Sequence, residues 1–335
     1  MIYTPSAEHI ELAAKRLKEG KLIVFPTETV YGLGANAFDA DAVKKIFDVK
    51  GRPAHNPLIV HLAEASDISL IAWVPDEVET ETPFKELFSL WPGPLTLVLP
   101  VKSAVPKVVT GGKDSVAVRV PRNPIALALL KASEVPIAAP SANISSRISA
   151  TTAVHVEETI GQQVDMILDG GPCDVGVEST ILSLLEWPPR ILMPGGVSVE
   201  RLNKLLGVDC RLPDKASLHN GAEDPLAPGM LKEHYAPNTK LRFRARYTPK
   251  KEEKRIGLIN FGPSFGPPND NISYQSKIVL SEIDSLQQVA TRLYSALYEM
   301  DKLGLDLILI DSCEEKGIGL AIMDRLKRAV AASTN

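Results

Sequence analysis

Cysteine is scarce in this chain of 335 residues: there are three, Cys173, Cys210 and Cys313, far apart and with no CxxC pair. That excludes a cysteine-rich zinc cluster or a disulfide framework and fits a reducing compartment, so a cytoplasmic address is expected. Long apolar runs are missing too, and none approaches the roughly 20 residues needed to span a bilayer. The opening MIYTPSAEHIELAAKRLKEG has no apolar stretch ahead of its charges, so neither a signal peptide nor a membrane partner is expected. Charge of one sign is not in large excess. A net −4 argues against a surface devoted wholly to nucleic acid, while leaving room for a local basic cavity. No Walker A string, no H-E-x-x-H and no G-x-S-x-G occurs, which removes the support for a P-loop kinase, a zinc protease or an α/β-hydrolase. What remains is a globular composition, 44% hydrophobic, on a chain long enough for two domains.

The densest set of ligand-type side chains lies in residues 23–62. A short apolar run leads to a polar turn with Thr27, Thr29 and Tyr31. A helix follows, capped by Asp39 or Asp41 and ending at Gly51, with Val43, Ile46 and Phe47 facing inward. Lys50 and Arg52 flank its end, where either alone would be read as complementing the helix dipole. Asn56 and His61 come next, His61 inside a second apolar run. GLGANA (32–37) matches a dinucleotide fingerprint as a string. Polar residues separate it from the preceding strand and the helix starts too late, so that reading is rejected.

Further along, helices are expected from Ser6 to Gly20, from Pro124 to about Lys131, from Thr151 or Thr152 to Gly161, and from Ser198 to Gly207. Residues 66–90 carry an acidic helical pattern. Strands are expected over 21–25, after the WPGP turn, and at 115–120, 135–140, 166–169, 179–185 and 191–193. Alternation in 115–120 puts Ser115, Ala117 and Arg119 on one face. If that face is buried, Arg119 needs an anionic partner, and its own strand offers none. Ser141 and Asn143 share a direction if the strand before them continues. The pattern predicts an α/β chain in three parts: a mixed, α+β-like sheet with helices over 1–207, a proline-rich linker over 208–240, and a small β/α unit over 241–335. The last has expected strands at 255–261, 277–280 and 305–311, helices at 286–303 and 320–332, and the order of a doubly wound Rossmann-like sheet.

PTETVYGLG (26–34), KGRPxxNPLIVH (50–61), SVAVRVP (115–121), APSAN (139–143) and GVEST (176–180), in that order, resemble the YrdC-like domain of threonylcarbamoyl-AMP synthases. PGMxxxHYAP (228–237) and the β/α unit behind it resemble the long, two-domain form. The resemblance implies a nucleotidyltransferase that makes threonylcarbamoyl-AMP and pyrophosphate from L-threonine, bicarbonate and ATP. The acyl group then passes, through a tRNA threonylcarbamoyl-transferase complex, to an adenosine beside the anticodon. Direct contact with RNA stays open.

By the same resemblance Lys50 and Arg52 are catalytic. Arg52, Asn56, Ser115, Ser141, Asn143, Ser149, Met193 and Tyr235 contact ATP, and His234 helps Tyr235 close the pocket from the linker. Thr29, His61, Arg119, Ser179 and the backbone at Ala139 hold L-threonine. Mg²⁺ arrives with ATP, and no dedicated protein metal site is expected. Such chemistry needs fixed cations for crowded negative charge, and Arg119 can fork a carboxylate. Hydroxyls at Thr29 or Ser179 can separate threonine from valine. Three departures stand out: Met193-Pro194-Gly195 replaces a common Arg-Pro-Gly, with Arg190 as a nearby substitute, Ala227 replaces a serine, and Leu231-Lys232-Glu233 replaces a more basic triplet. Of two rivals, a hydrogenase-type carbamoyl-transfer protein lacks its CxxC elements here, and an RNA-binding module lacks interleaved basic and aromatic residues.

Overall fold

Short apolar segments separated by polar turns assemble into two sheets in the computed structural model, which describes residues 1–74, 84–213, 225–230, 234–248, 252–266 and 272–333. The first sheet holds β1 (Ile2–Tyr3), β2 (Ile23–Phe25), β3 (Gly32–Asn36), β4 (Ile59–His61), β5 (Leu95–Pro100), β6 (Ser115–Arg119), β7 (Ile137–Ala139), β8 (Met166–Leu168), β9 (Thr180–Ser183) and β10 (Arg190–Met193). Their order across the sheet is β1-β8-β2-β3-β7-β4-β6-β5-β9-β10, with parallel and antiparallel neighbours mixed. Both faces are covered, which is why most of these strands are short apolar runs and why even β6, alternating in sequence, is buried along its whole length.

Helices pack on this sheet where the caps predict them. α1 (Ala7–Lys18) starts at Ser6, whose hydroxyl accepts from His9 N–H, and α2 (Ala40–Lys50) starts at Asp39. α3 (Pro124–Ser133) starts at Asn123, α4 (Ala153–Ile160) at Thr152 and α5 (Val199–Leu206) at Ser198. The acidic pattern of 66–90 resolves into helical turns at 65–71 and 84–90, and residues 75–83 lie outside the described part.

GLGANA, rejected above as a dinucleotide motif, supplies a strand that the pattern did not predict: β3 pairs antiparallel with β2, Phe25 opposite Gly32 and Ile23 opposite Gly34. A Cβ at Gly34 would stand 2.8 Å from both the Phe25 ring and Ile137, so glycine here admits neighbours and not a pyrophosphate. The strand before Ser141 reaches one further antiparallel bridge, Ser141 to Gly32, and does not persist to Asn143. β7 stops at Ala139, and the Asn143 amide donates to the carbonyls of Ile144 and Arg147, folding the chain into a turn. Ser141 and Asn143 are therefore not two steps along one strand.

The second sheet is fully parallel, in the order β11 (Leu241–Phe243), β14 (Leu307–Ile310), β12 (Ile256–Asn260), β13 (Ser276–Val279). β11 was not expected from the pattern. α6 (Leu286–Asp301) and α7 (Ile318–Ala332) cover this sheet. Its core continues into the first unit, because Val30, Ile148, Val177 and the linker's Tyr235 pack in the same cluster as Leu293, Tyr294 and Leu297. Of the linker, 214–224 and 231–233 fall outside the described residues. No helix among the described residues is long and apolar enough to cross a membrane.

Candidate active site

The strand ends converge on one small cavity of about 50 Å³. Registry brings its walls together: His61 on β4 stands opposite Arg119 on β6, and Ile59 opposite both Ala117 and Ala139. The β2–β3 turn adds Thr27 and Thr29, the segment after α2 adds Arg52, the β7 exit adds Ser141, and Ser179 precedes β9. Met193 closes β10, while Pro228, Gly229, His234 and Tyr235 enter from the linker. Ten of the expected residues thus share the cavity wall: Thr29, Arg52, His61, Arg119, Ala139, Ser141, Ser179, Met193, His234 and Tyr235. Lys50, Asn56, Ser115, Asn143 and Ser149 are not in that lining.

Those five are buried and engaged elsewhere or behind it. The Lys50 ammonium donates to the carbonyl of Ser141 at 2.6 Å and to that of Asn143, so it holds the turn. Burial, then the neighbouring Arg52, push its pKa well below the ordinary lysine value. Asn56 accepts from Arg52 through its side chain at 2.7 Å and its carbonyl at 3.0 Å. Ser149 donates to Glu178 at 2.7 Å. Ser115 starts β6, opposite Pro100. Arg190 sits half-buried at the start of β10, pairing with Ser183 and bridging to Arg211, and it does not reach the cavity. Met193 occupies the wall itself.

Arg119, only 3% exposed, has the acid that its own strand could not supply. Glu28 lies 2.7 Å from one terminal nitrogen. Burial works to raise the Glu28 pKa, but the Arg119 charge and hydrogen bonds outweigh it and hold the carboxyl below its ordinary range. The other terminal nitrogen donates to the Thr29 hydroxyl at 2.9 Å and Nε to the Gly93 carbonyl at 3.1 Å. A guanidinium has five N–H groups, and the hydrogen bonds to Thr29 and Gly93 leave several of them for a carboxylate. His61 is neutral: burial, then Arg119, lower its pKa to about 3. Arg52 is lowered by burial to about 9, still charged near neutrality.

The linker segment fills the cavity's mouth. Tyr235 is 1% exposed at φ 67°, its ring 4.2 Å from that of His234 and its hydroxyl 3.9 Å from Met193 Sδ. Behind it stands Arg325 of α7, over the Tyr235 ring at 5.4 Å. Arg325 donates to Glu178 at 2.8 Å, to Asp324 at 2.7 Å and to the Pro194 carbonyl at 2.9 Å. His234 is kept neutral by burial and then by Arg52, Lys50, Arg328 and Arg325. Cations from both units therefore surround the linker's two rings.

Against known proteins, residues 15–195 match the Sua5/YciO/YrdC family model, described as telomere recombination, and residues 197–331 match the model described as threonylcarbamoyl-AMP synthase, C-terminal domain. A curated threonylcarbamoyl-AMP synthase of Pyrococcus abyssi is 44% identical over 334 residues, covering 96% of this chain and 93% of that protein. The chain belongs to the threonylcarbamoyl-AMP synthase family. The Bacillus subtilis member is 40% identical, with 96% of this chain and 92% of the relative aligned. The crystal structure of P. abyssi Sua5 complexed with L-threonine superposes with a TM-score of 0.86 at 41% identity, covering 99% of this chain and 98% of that one. Membership of the threonylcarbamoyl-AMP synthase family confirms the expected resemblance and the α/β architecture.

Several residues at the site escaped the sequence reading. Glu28 stood inside PTETVYGLG, and its signal was that Arg119 lacked an acid. Glu178 stood inside GVEST as a spacer. Arg325, in the ordinary helical string DRLKR, carried no signal at all.

Proposed function

We propose that the chain activates L-threonine as its carbamate by transfer of AMP from ATP, giving threonylcarbamoyl-AMP and pyrophosphate. The observation that carries this reading is that Arg119, with N–H groups left for a carboxylate, and Arg52 share one cavity with Thr29, Ser179 and a neutral His61. An amino acid carboxylate fits Arg119, and the phosphates fit the Arg52 side. The threonine carbamate oxygen attacks the α-phosphorus as pyrophosphate leaves. Positioning and preorganised charge supply the acceleration, and no covalent enzyme intermediate is needed. Lys50 acts from behind, by fixing the turn that presents Ser141.

His234 and Tyr235 lie in the wall of this small cavity, so on this reading they shift before ATP is seated and then close over it. Among the described residues no three His, Cys, Asp or Glu side chains converge as a metal site. The described lining has one carboxylate, Glu178, already engaged by Arg325. These donors do not fit a protein-held metal; Mg²⁺ is assigned to the triphosphate as its counter-ion. The product passes to a tRNA threonylcarbamoyl-transferase in the cytoplasm. The test is pyrophosphate release by the purified chain. Release requiring both threonine and bicarbonate is expected; release indifferent to threonine, or none from folded protein, overturns the reading.

A further inference from the structure

Two buried hydroxyls in the cavity wall are wired with opposite polarity. Thr96 Oγ1, on β5 and fully buried, lies 2.7 Å from Ser179 Oγ, and neither hydroxyl has another partner among the described residues. A hydroxyl has one proton and two lone pairs. If Ser179 donated to Thr96, the Thr96 proton would be stranded in the core without an acceptor, a costly arrangement. With Thr96 donating, every requirement inside the protein is met, and the Ser179 proton faces the cavity.

Thr29 is wired the other way. The Thr27 hydroxyl gives its proton to the Val30 carbonyl at 2.6 Å while accepting the Thr29 and Val30 N–H groups at 3.2 Å, so in the 2.8 Å contact between Thr27 and Thr29 the donor is Thr29. Thr29 then accepts from Arg119 at 2.9 Å and keeps one lone pair for the cavity.

We propose that Thr96 is a positioning residue that turns the Ser179 proton toward the ligand, so the ligand atom facing Ser179 is an unprotonated carboxylate or carbamate oxygen. Thr29 correspondingly faces a donor, the ammonium or hydroxyl of the amino acid. The inference rests on the proposed threonine-activating function and adds to it a residue outside the cavity lining.

The test uses the full-length chain and the pyrophosphate assay. Wild-type protein first establishes threonine-dependent release; failure there sinks the function, not the wiring. Given that activity, Thr96→Val raises the threonine KM about fivefold, the effect of one hydrogen bond, with the ATP KM unchanged. Thr96→Ser restores the wild-type threonine KM. The double variant Thr96→Val/Ser179→Ala matches Ser179→Ala alone, because Thr96 acts only through Ser179. Thermal unfolding checks each variant, and Thr96→Ala replaces Thr96→Val if that one does not fold. An unchanged threonine KM in Thr96→Val, an equal rise in both KM values, no restoration by serine, or additive effects in the double variant would each overturn the inference.

Discussion

His61 combines burial with proximity to Arg119, and both act against its charged form, holding it at about 3 where an ordinary histidine titrates at 6.5. In the unfolded chain it takes up its proton first as pH falls. Its contribution to stability is therefore complete above about pH 6.5 and is lost progressively toward pH 3, at up to about 1.4 kcal/mol per pH unit. The stability advantage of wild type over His61→Gln, from urea unfolding, should narrow by on the order of 2 kcal/mol between about pH 6.5 and 4.5. A constant difference would place the imidazole in a more solvated setting. The residue types at this site were legible because each motif carried a function-bearing side chain. The partner of Arg119 was not, since Glu28 is 91 positions away in a turn that the sheet order β2-β3-β7-β4-β6 brings alongside.

Elements were legible where their signals are local. Ser6, Asp39, Thr152 and Ser198 cap helices because a side-chain oxygen needs only its own next turn. β3 and β11 escaped because the first is glycine-rich and the second has three residues, so neither shows a period. The turn at 141–147 was missed for a different reason: Lys50 holds it from a distant helix end. The linker's seat is equally non-local. Gly229, at φ 80°, lies where a Cβ would stand 2.4 Å from Met193 Sδ and 3.0 Å from the Tyr235 hydroxyl. Gly229→Ala combines that clash with an unfavourable backbone. It should unseat Tyr235 and raise the ATP KM about tenfold, or roughly 1.4 kcal/mol, while the threonine KM changes little. Wild-type kinetics in this variant would reduce the linker to a tether.

At the scale of the molecule, the two sheets share a core and a set of buried charges. Arg325 reaches from α7 to Glu178, one residue before Ser179, and Tyr294 donates to the same carboxylate at 3.1 Å. Composition alone pointed to two units; nothing in it showed that an arginine of the second supports the wall of the first. Arg325→Met leaves the Glu178 carboxylate without its cation and should lower stability by about 3–5 kcal/mol, splitting one calorimetric transition into two. Unchanged melting would show the units to be held by apolar contacts alone.

The central claim, that this cavity joins threonine, bicarbonate and the adenylate of ATP, is tested most directly by following carbon. Incubation with ¹³C-bicarbonate, L-threonine and ATP, followed by mass spectrometry of the nucleotides, should yield an adenylate heavier than unlabelled threonylcarbamoyl-AMP by one mass unit. An adenylate that contains threonine but no labelled carbon, or AMP alone, would contradict the account.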